Sequence, residues 1–351
     1  MKILILCASI TSAGGTERAI VNTVNMLQQL SNIDITIVSI TEKSGNKPYY
    51  ELKSHCQIFY LNEPFKASYK KICWYSIVKR KLEKVLFGTN PEIVLSYGHN
   101  ISVMLPLIRR KNIRYYACEH INFYSIPFLH RLIIRILYPF LDGLVVLSES
   151  AKRKMNGLNS NIYIIPNSLS FTSEKLAKLE TKRLIMIGRL SPEKGLERLV
   201  PIAKYLKKNF PDWSISVYGD GEQRESLISL YRQNDILDYV ILEGRVDNIK
   251  EKLLDSSILL MTSYTEALPM VILEAEACGV PTIAYSCEGT NELIRSGYNG
   301  FVVNSADDFI SKLTLLIENI DVRKQMGENS FQDSQRYSFD AILKLWRRIL
   351  N

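Results

Sequence analysis

Two carboxylates stand on either side of Pro269 in the stretch TEALPMVILEAEACGVP: Glu266 lies before it and Glu274 after it. Pro269 suits the first turn of a helix, where its missing N–H would have no helical partner. The free N–H groups of such a turn, here near Leu268 and Met270, form an anion site. We therefore predict that backbone amides bind a diphosphate here and that the two carboxylates accept sugar or ribose hydroxyls. The alternative is an acid favoured by the helix dipole plus a solvated second glutamate.

Two cations in IGRLSPEKGLERLV follow the first strand-like run of the second half of the chain. Arg189 and Lys194 lie five residues apart, across a turn marked by Pro192 and Gly195. Guanidinium groups bind phosphate oxygens as a fork and ammonium groups bind them as a point charge. We predict that both side chains converge on phosphate oxygens; the alternative is a pair of ordinary surface cations.

A glycine pair in TSAGGTERAI follows the first strand-like run of the chain. Gly14 and Gly15 let the backbone approach a ligand closely, and we expect a helix to begin at about Thr16. The pattern is not G-x-G-x-x-G, so it gives little support to a dinucleotide site.

Histidines and an acid follow other strand-like runs of the first half. Glu119 and His120 in YACEHIN are predicted to act on a substrate, and His99 in SYGHN is a second candidate. His55 and His130 are predicted to be ordinary core or loop residues.

The segment AYSCEGTNELIRSGYNG contains a further glycine and acid. We expect Gly289 to make a tight turn after a strand and Glu292 to be the first-turn acid of a helix. Such an acid either caps the helix or contacts a ligand.

Short apolar runs alternate with helical patterns along the chain. Strands are predicted at KILILCA, IDITIVSI, EIVLSY, IRYYACEH and GLVVLS, then at KRLIMIGR, WSISVYG, YVILEGR, SILLMTS, PTIAYS and NGFVVN. Helical spacing occurs in RAIVNTVNMLQQL, GLERLVPIAKYLKKN and QRESLISLYRQND. Near-continuous apolar strands separated by helices indicate parallel sheets covered on both faces. Because the pattern restarts near residue 180, we predict two doubly wound α/β domains, 1–168 and 169–335.

The composition sets limits on the class of protein. The chain has 351 residues, of which 46% are hydrophobic and 23% charged, as in globular proteins. No apolar run reaches the roughly 18 residues of a spanning helix, and we interpret the N-terminus as a buried strand, not a signal peptide. The six cysteines form no C-x-x-C pair, which fits a reducing cytosol. No D-x-D occurs, so amides and cations, not a metal ion, are expected to neutralise a diphosphate.

Positive charge is concentrated in the first half: residues 1–168 carry 21 Lys and Arg against 10 Asp and Glu, and the remainder carries 23 against 26. Segment 69–87, YKKICWYSIVKRKLEKVLF, is a basic amphipathic pattern typical of helices that bind anionic membrane surfaces. LIRRKNIR and HRLIIRILYPF add cations in the same half. The alternative is a surface helix packed on its own domain with a solvated basic face. No nucleic-acid-binding module is recognisable, so we expect no nucleic-acid partner.

The chain resembles the family-4 retaining glycosyltransferases of the GT-B fold over nearly its whole length. The resemblance is carried by GRLSPEKG, YGDGEQRESL, LEGRVDNI, EALPMVILE, EACGVPTIA and NELIRSGYNGFVV, and by GGTER in the first half. It implies two Rossmann-like domains facing a cleft, with the acceptor on 1–168 and a nucleotide-sugar donor on 169–335. It also implies that a final helix, 336–351, packs back on the first domain.

Individual roles follow from the same resemblance. Arg189 and Lys194 would contact the donor diphosphate. Glu274 would hold ribose hydroxyls, and Glu266 would lie against the donor sugar near the reacting carbon. His120 would face the donor sugar from the first domain.

The resemblance also bears on the binding of the base, the closure of the first domain and the choice of donor. Arg245 and Val246 would lie near the base, and Gly14 and Gly15 would let the first domain close on the diphosphate. Where the family often has Glu-Gly-Phe-Pro, this chain has Ala267 after the glutamate, which adds a methyl group beside the donor sugar.

The predicted function is transfer of a hexose or N-acetylhexosamine, with retention and without a metal or other cofactor, from a nucleotide sugar to a lipid-linked saccharide. A UDP-sugar is favoured, in bacterial O-antigen, capsule or exopolysaccharide biosynthesis at the cytoplasmic face of the inner membrane. The alternatives are a GDP-mannose-dependent mannosyltransferase, a nucleotide-sugar epimerase of the same fold and a non-catalytic nucleotide-sugar-binding subunit.

Overall fold

The computed structural model describes residues 1–65 and 71–350, which divide into two compact units. Unit 1 comprises Met1–Ser168 and Phe339–Asn351, and unit 2 comprises Leu169–Ser338. Tyr69 and Lys70 of the predicted basic helix lie outside the described residues.

Unit 1 is built on a parallel sheet of order β3-β2-β1-β4-β5-β6-β7. Its strands are β1 (Lys2–Cys7), β2 (Asp34–Ser39), β3 (Gln57–Tyr60), β4 (Ile93–Tyr97), β5 (Arg114–Glu119), β6 (Gly143–Val146) and β7 (Ile162–Ile164). The five strands predicted here from apolar runs are present, and their central residues are buried because helices cover both faces. Strands β3 and β7 are not among these five, since both are edge strands, which are only half-buried.

The helices of unit 1 connect these strands. They are α1 (Gly15–Leu27), α2 (Lys71–Thr89), α3 (His99–Ser102), α4 (Phe128–Leu137) and α5 (Glu149–Lys154).

Helix α2 excludes the apolar face of segment 69–87 from the expected membrane contact. Its side chains Trp74, Val78, Leu82 and Leu86 are buried in the core of unit 1. The apolar face is therefore not available to a lipid surface, because packing against the sheet already removes it from water. The basic side, including Arg80, remains exposed, as does the ring of Phe87 near the end of the helix. This is the alternative of a helix packed on its own domain.

Unit 2 has a second parallel sheet, of order β10-β9-β8-β11-β12-β13. Its strands are β8 (Arg183–Ile187), β9 (Ser214–Tyr218), β10 (Val240–Gly244), β11 (Ile258–Met261), β12 (Thr282–Tyr285) and β13 (Gly300–Val303). The six strands predicted in this half are all present. The doubly wound α/β architecture is confirmed by the two sheets.

The helices of unit 2 lie between and after these strands. They are α6 (Leu199–Asn209), α7 (Arg224–Gln233), α8 (Ile249–Leu254), α9 (Met270–Ala277), α10 (Glu288–Leu293), α11 (Ala306–Glu318) and α12 (Ile320–Ser334).

Helix α13 (Phe339–Leu350) closes the chain and belongs to unit 1, where it contacts α1. Ile342, Trp346 and Ile349 are buried, and Arg114 donates hydrogen bonds to the carbonyls of Ile349 and Leu350 at 2.8 and 3.0 Å. Across residues 1–65 and 71–350, no helix combines the length and hydropathy needed to cross a bilayer.

Candidate active site

The strand order of unit 2 reverses between β8 and β11. From β8 the chain proceeds outward to β9 and β10, and from β11 it proceeds the other way to β12 and β13. Ligands of doubly wound sheets bind at such a switch point, outside the carboxyl ends of the strands. Lys194 follows β8 and Glu266 follows β11, so the reversal brings the two predicted loops together.

Lys194 and Glu266 are in direct contact. The Lys194 Nζ lies 2.6 Å from Glu266 Oε1, and the two side chains are 22% and 12% exposed. Ser263 Oγ donates a second hydrogen bond to the same carboxylate oxygen at 2.7 Å. An ammonium group has three N–H donors, so one bond to Glu266 leaves Lys194 able to donate to a ligand as well. Glu266 therefore orients Lys194.

The loops that carry these two residues are joined by further hydrogen bonds. Thr262 Oγ1 donates to the Lys194 carbonyl at 2.7 Å, and the Tyr264 N–H donates to the Glu193 carbonyl at 2.9 Å. Arg198 Nη1 donates to the Thr262 carbonyl at 2.9 Å. The guanidinium carbon of Arg198 lies 4.2 Å and 3.8 Å from the ring centroids of Tyr264 and Tyr285. Stacking on both rings fixes the arginine, and the arginine fixes the loop.

Gly195 provides the turn that directs Lys194 toward the β11 loop. Its φ is +60°, and a Cβ atom there would lie 2.6 Å from the Thr262 carbonyl oxygen. Both the left-handed backbone and the close approach favour glycine. Any larger residue would separate the two loops.

Helix α10 supports the Glu266 loop from the other side. The Gly289 N–H donates to the Glu266 carbonyl at 3.0 Å, and a Cβ atom at Gly289 would lie 2.7 Å from Pro269 Cδ. The expectation for this segment was wrong in detail. Gly289 lies inside α10, not in a preceding turn, and the first-turn acid is Glu288, not Glu292.

Helix α9 begins beside Glu266, as predicted. Pro269 occupies its N-cap position, one residue before the helix starts at Met270. Both residues are buried, as is Leu268, so packing holds the N-terminus of α9 at this sheet edge. Glu274 lies one turn further along; its side chain is only 1% exposed.

Glu274 is tied to the first residues of unit 2. Ser170 Oγ donates to its Oε1 at 2.8 Å, which shows that the carboxylate accepts hydroxyl groups in this position. Its role toward ribose hydroxyls stays a prediction.

The other predicted residues of unit 2 lie at the edges of this arrangement. Arg189 is exposed, and Arg245 is 62% exposed with its Nε 3.8 Å from Asp220 Oδ2. Val246 is half-buried beside it. Within residues 1–65 and 71–350, neither arginine is hydrogen-bonded to Lys194 or Glu266. Their contacts with a diphosphate and a base stay predictions.

The glycine loop of unit 1 also lies at a switch point, between β1 and β4. Gly14 is the N-cap of α1, and the helix begins at Gly15, one residue earlier than expected. Glu42 holds the preceding loop, a contact that sequence reasoning missed. Its carboxylate accepts hydrogen bonds from the Ser9 and Thr11 hydroxyls and from the Ile10 N–H at 3.1 Å.

His120 and Glu119 end β5 in different environments. His120 is partly exposed, and its ring lies 5.1 Å from that of Tyr97. Burial lowers the pKa of His120 to about 4, so the imidazole is neutral near pH 7 and can exchange hydrogen bonds with a ligand. Glu119 is buried and accepts a hydrogen bond from the Tyr138 hydroxyl. The Glu119 carboxylate is therefore held within the core of unit 1, and its role toward a substrate stays a prediction.

His99 packs against another histidine. Its ring lies 4.9 Å from the ring of His130, edge to face, and the His130 Nε2 is 3.4 Å from the His99 carbonyl.

Comparison with known proteins decides the family. The family model described as Glycosyl transferases group 1 matches residues 170–333. An uncharacterized glycosyltransferase of Haemophilus influenzae is 32% identical over 362 aligned positions, which cover 99% of this chain and 99% of that protein. The chain belongs to the group 1 glycosyltransferases.

A second relative of this glycosyltransferase comes from Campylobacter jejuni. It is 27% identical, over 100% of this chain and 98% of its own. Its name is GalNAc-alpha-(1->4)-GalNAc-alpha-(1->3)-diNAcBac-PP-undecaprenol alpha-1,4-N-acetyl-D-galactosaminyltransferase.

A solved structure of similar fold is that of a mutant of S. aureus TarM in complex with Fondaparinux, alpha-GlcNAc-glycerol and UDP. It matches with a TM-score of 0.83 at 15% identity, over 100% of this chain and 99% of that one. At this identity the likeness shows the fold alone. The predicted GT-B fold of the glycosyltransferase is confirmed.

Sequence reasoning missed the side chains that hold the predicted site residues of the glycosyltransferase. Ser263 lies three residues before Glu266 in a loop after a strand, so this spacing could have predicted that the serine hydroxyl contacts the Glu266 carboxylate. Arg198 and Ser170 gave no signal, because their partners are 64 and 104 residues away.

No group of three or more His, Cys, Asp or Glu side chains that could hold a metal ion occurs in the part of the chain that the structure describes. That no metal takes part in the transfer stays a prediction, and it is tested with a chelator in the donor screen below.

Glu42 gives the glycosyltransferase a testable pH dependence. Partial burial alone would raise its pKa, but hydrogen bonds from Ser39, Ser9, Thr11 and the Ile10 N–H outweigh burial and hold the pKa below its usual value. A depressed carboxyl pKa stabilises the fold above the unfolded-state pKa, and this stabilisation is lost as the pH falls through the folded-state pKa. We expect Glu42→Gln to lower the free energy of unfolding by about 1–2 kcal/mol near neutral pH.

This difference between wild type and Glu42→Gln should shrink below about pH 4, as the wild-type carboxyl is protonated. Denaturant unfolding at several pH values measures it, with exposed Glu51→Gln as the matched control. A difference that stays constant down to about pH 3 would mean that the Glu42 charge does not hold the loop.

Proposed function

We propose that this glycosyltransferase moves a hexose or N-acetylhexosamine from a nucleotide sugar, with a UDP-sugar favoured, to a hydroxyl of a lipid-linked saccharide. The reaction would belong to bacterial O-antigen, capsule or exopolysaccharide biosynthesis. The observation that carries the donor assignment is the Lys194–Glu266 contact of 2.6 Å at the switch point of unit 2. It places a fixed cation and a carboxylate beside the first turn of α9, where a diphosphate and its sugar would both find partners.

The leaving nucleotide develops negative charge on its β-phosphate as the bond between the donor sugar and that phosphate breaks. Lys194, Arg189 and the α9 amides near Leu268 would stabilise that charge where it forms, which is the main way such sites lower a barrier. Positioning of the acceptor hydroxyl supplies much of the remainder. Two cations and a helix N-terminus can balance a diphosphate without a metal ion.

Retention of configuration fits the hydrogen bonding of the Glu266 carboxylate. Its Oε1 accepts hydrogen bonds from both Lys194 and Ser263, and a carboxylate oxygen held by a cation is a poor nucleophile. We therefore favour attack by the acceptor on the face from which the nucleotide leaves, with the departing phosphate taking the hydroxyl proton. The paired-carboxylate mechanism of glycoside hydrolysis does not apply.

The acceptor assignment rests on charge and on relatives. Unit 1 contains the basic part of the sequence, which suits an acceptor at an anionic, cytoplasmic membrane surface. The name of the Campylobacter jejuni relative includes a PP-undecaprenol acceptor, and the TarM complex contains UDP. A GDP-mannose-dependent mannosyltransferase is the closest alternative.

A nucleotide-sugar epimerase or a non-catalytic binding subunit would use the same fold without an acceptor. Removing the Lys194 ammonium distinguishes a glycosyltransferase from a non-catalytic binding subunit. Transfer needs the cation, and the role of a binding subunit depends on it far less.

A donor screen tests the proposal. The purified chain is incubated with UDP-Glc, UDP-Gal, UDP-GlcNAc, UDP-GalNAc and GDP-Man, in EDTA and without added metal, and the melting temperature and nucleotide release are followed. Ligand that binds only the folded state raises its stability in proportion to the logarithm of its concentration over Kd. We expect one UDP-sugar to stabilise the protein in EDTA, and Arg189→Ala to weaken that effect.

Matched exposed Lys204→Ala should respond to the same donor as wild type. Stabilisation that appears only with a divalent metal would overturn metal independence. If UDP and GDP themselves also have no effect, the diphosphate site is in the wrong place.

A further inference from the structure

Helix α4 of unit 1 exposes its apolar side chains. Leu129 is 73% exposed, Ile136 66%, Phe128 63% and Phe140, just after the helix, 61%. Together with Leu132 and Ile133, which are also exposed, these six residues form what we call the α4 surface.

The exposure of the α4 surface reverses the usual pattern of a surface helix, whose apolar side faces the core. Within α4 only Ile134 is fully buried, so one side of the helix anchors it and the opposite side presents Leu129, Ile133 and Ile136 to solvent. Scattered apolar residues are normal on a surface, whereas a contiguous group marks a binding site.

The charge around the α4 surface is predominantly positive. Residues 93–154 contain nine Lys and Arg and three acids. Of these acids, Glu119 is buried against Tyr138, Asp142 is paired with Arg109 at 2.9 Å, and Glu149 is exposed on α5. A partner of this surface therefore meets positive charge around an apolar centre.

These cations lie against exposed aromatic rings at one end of the α4 surface. The guanidinium of Arg131 is 5.8 Å from the ring centroid of Phe128 and 5.6 Å from that of Tyr124. Lys154, on helix α5, places its Nζ 5.6 Å from the centroid of the same Tyr124 ring. Tyr124 is itself 60% exposed.

The other end has one comparable ring contact. Arg109 donates a hydrogen bond to the Phe140 backbone carbonyl and is paired with Asp142, and the neighbouring Arg110 lies 5.9 Å from the ring centroid of Phe87 on α2. Phe87 is 79% exposed. Aromatic rings beside cations whose apolar stems cover hydrocarbon are typical of protein surfaces at a membrane interface.

We propose that the α4 surface docks the protein on an anionic lipid bilayer, with the apolar side chains in the headgroup region and Arg131, Arg135 and Lys154 against lipid phosphates. A second copy of the chain fits less well, because an isologous contact would bring the cations of both copies together. The inference rests on the proposed function in one respect, since a lipid-linked acceptor gives the docking its purpose. It moves the predicted membrane contact from the apolar face of segment 69–87, which is buried, to the α4 surface.

The test is flotation of the full-length protein with vesicles, in the absence of donor and acceptor. Vesicles of phosphatidylcholine with phosphatidylglycerol are compared with pure phosphatidylcholine at low and high salt. We expect binding to the anionic vesicles that weakens with salt. Leu129→Gln/Ile136→Gln should lower the partition coefficient by about tenfold or more, and Arg135→Gln/Lys154→Gln should lower it by a similar factor.

Two matched control variants test whether vesicle binding is specific to the α4 surface. Arg80→Gln/Lys84→Gln removes two exposed cations of α2, and Leu315→Gln removes an exposed apolar side chain of unit 2. Both should bind within about twofold of wild type.

Wild-type binding by Leu129→Gln/Ile136→Gln would overturn the proposal, as would an equal loss in Arg80→Gln/Lys84→Gln. A concentration-dependent dimer that the α4 variant abolishes, without vesicle binding by the wild type, would assign the surface to self-association instead. Donor stabilisation in the screen above does not involve α4. Vesicle binding without donor binding would therefore refute the proposed function alone, and donor binding without vesicle binding would refute only this inference.

Discussion

Lys194→Ala should lower kcat/KM for sugar transfer by about a thousandfold, since removing one group that stabilises transition-state charge has effects of roughly 10²–10³ and a full charge lies at the upper end. The loss should fall mainly on kcat, because the charge on the β-phosphate grows as the bond to the sugar breaks. Steady-state kinetics with the donor identified in the screen measures it.

The controls for Lys194→Ala separate chemistry from folding. Lys204→Ala removes an exposed lysine of the same unit and should leave kcat/KM unchanged. Gly195→Ala keeps the charge but forces the Lys194 loop away from the Thr262 carbonyl, 2.6 Å from the added Cβ, so it should also lose most activity while the protein remains folded.

Glu266→Gln tests the coupling of the pair. Its effect should be less than additive with that of Lys194→Ala, because the two side chains share one contact. Full activity in Lys194→Ala would contradict the proposed mechanism outright.

Glu274→Gln should raise the KM for the donor by about 10- to 100-fold, because a hydrogen bond to a charged acceptor is worth about 1.5–3 kcal/mol. Contacts to the ribose are made equally in the ground and transition states, so kcat should change by less than about threefold. Initial rates over a range of donor concentrations separate the two constants.

Ser170→Ala is the matched control for Glu274→Gln. It removes the observed partner of Oε1 but keeps the carboxylate, and we expect a change in donor KM of less than about threefold. A fall in kcat at unchanged KM in Glu274→Gln would instead place this carboxylate at the reacting centre.

The sequence predicted the frame of the molecule well. Buried parallel strands need nearly continuous apolar runs, because both of their faces are covered, and such runs are visible without any structure. Once the strands are assigned, the loops at their carboxyl ends follow, and with them the side chains of Lys194, Glu266 and His120. The edge strand Gln57–Tyr60 escaped because half-burial leaves no such run.

Amphipathic patterns were less informative, because they show that a helix has an apolar side but not what covers that side. Segment 69–87 and helix α4 are both apolar and basic in sequence. Packing against the sheet buries Trp74 and Val78 of α2, and leaves Leu129 and Ile136 of α4 in solvent. The position of each helix on the sheet decided whether its apolar side is buried in the core or exposed to solvent.

The amino-acid sequence by itself determined the two parallel sheets, the residue types after each strand and the basic character of the first half. Only the tertiary structure decided which side chains meet. Lys194 and Glu266 are 72 residues apart, and Ser170 and Glu274 are 104 apart. They touch because strand order brings the ends of β8 and β11 to one place, and because the left-handed turn at Gly195 directs the lysine there. Strand order and register depend on packing over the whole sheet, which no local stretch of sequence encodes.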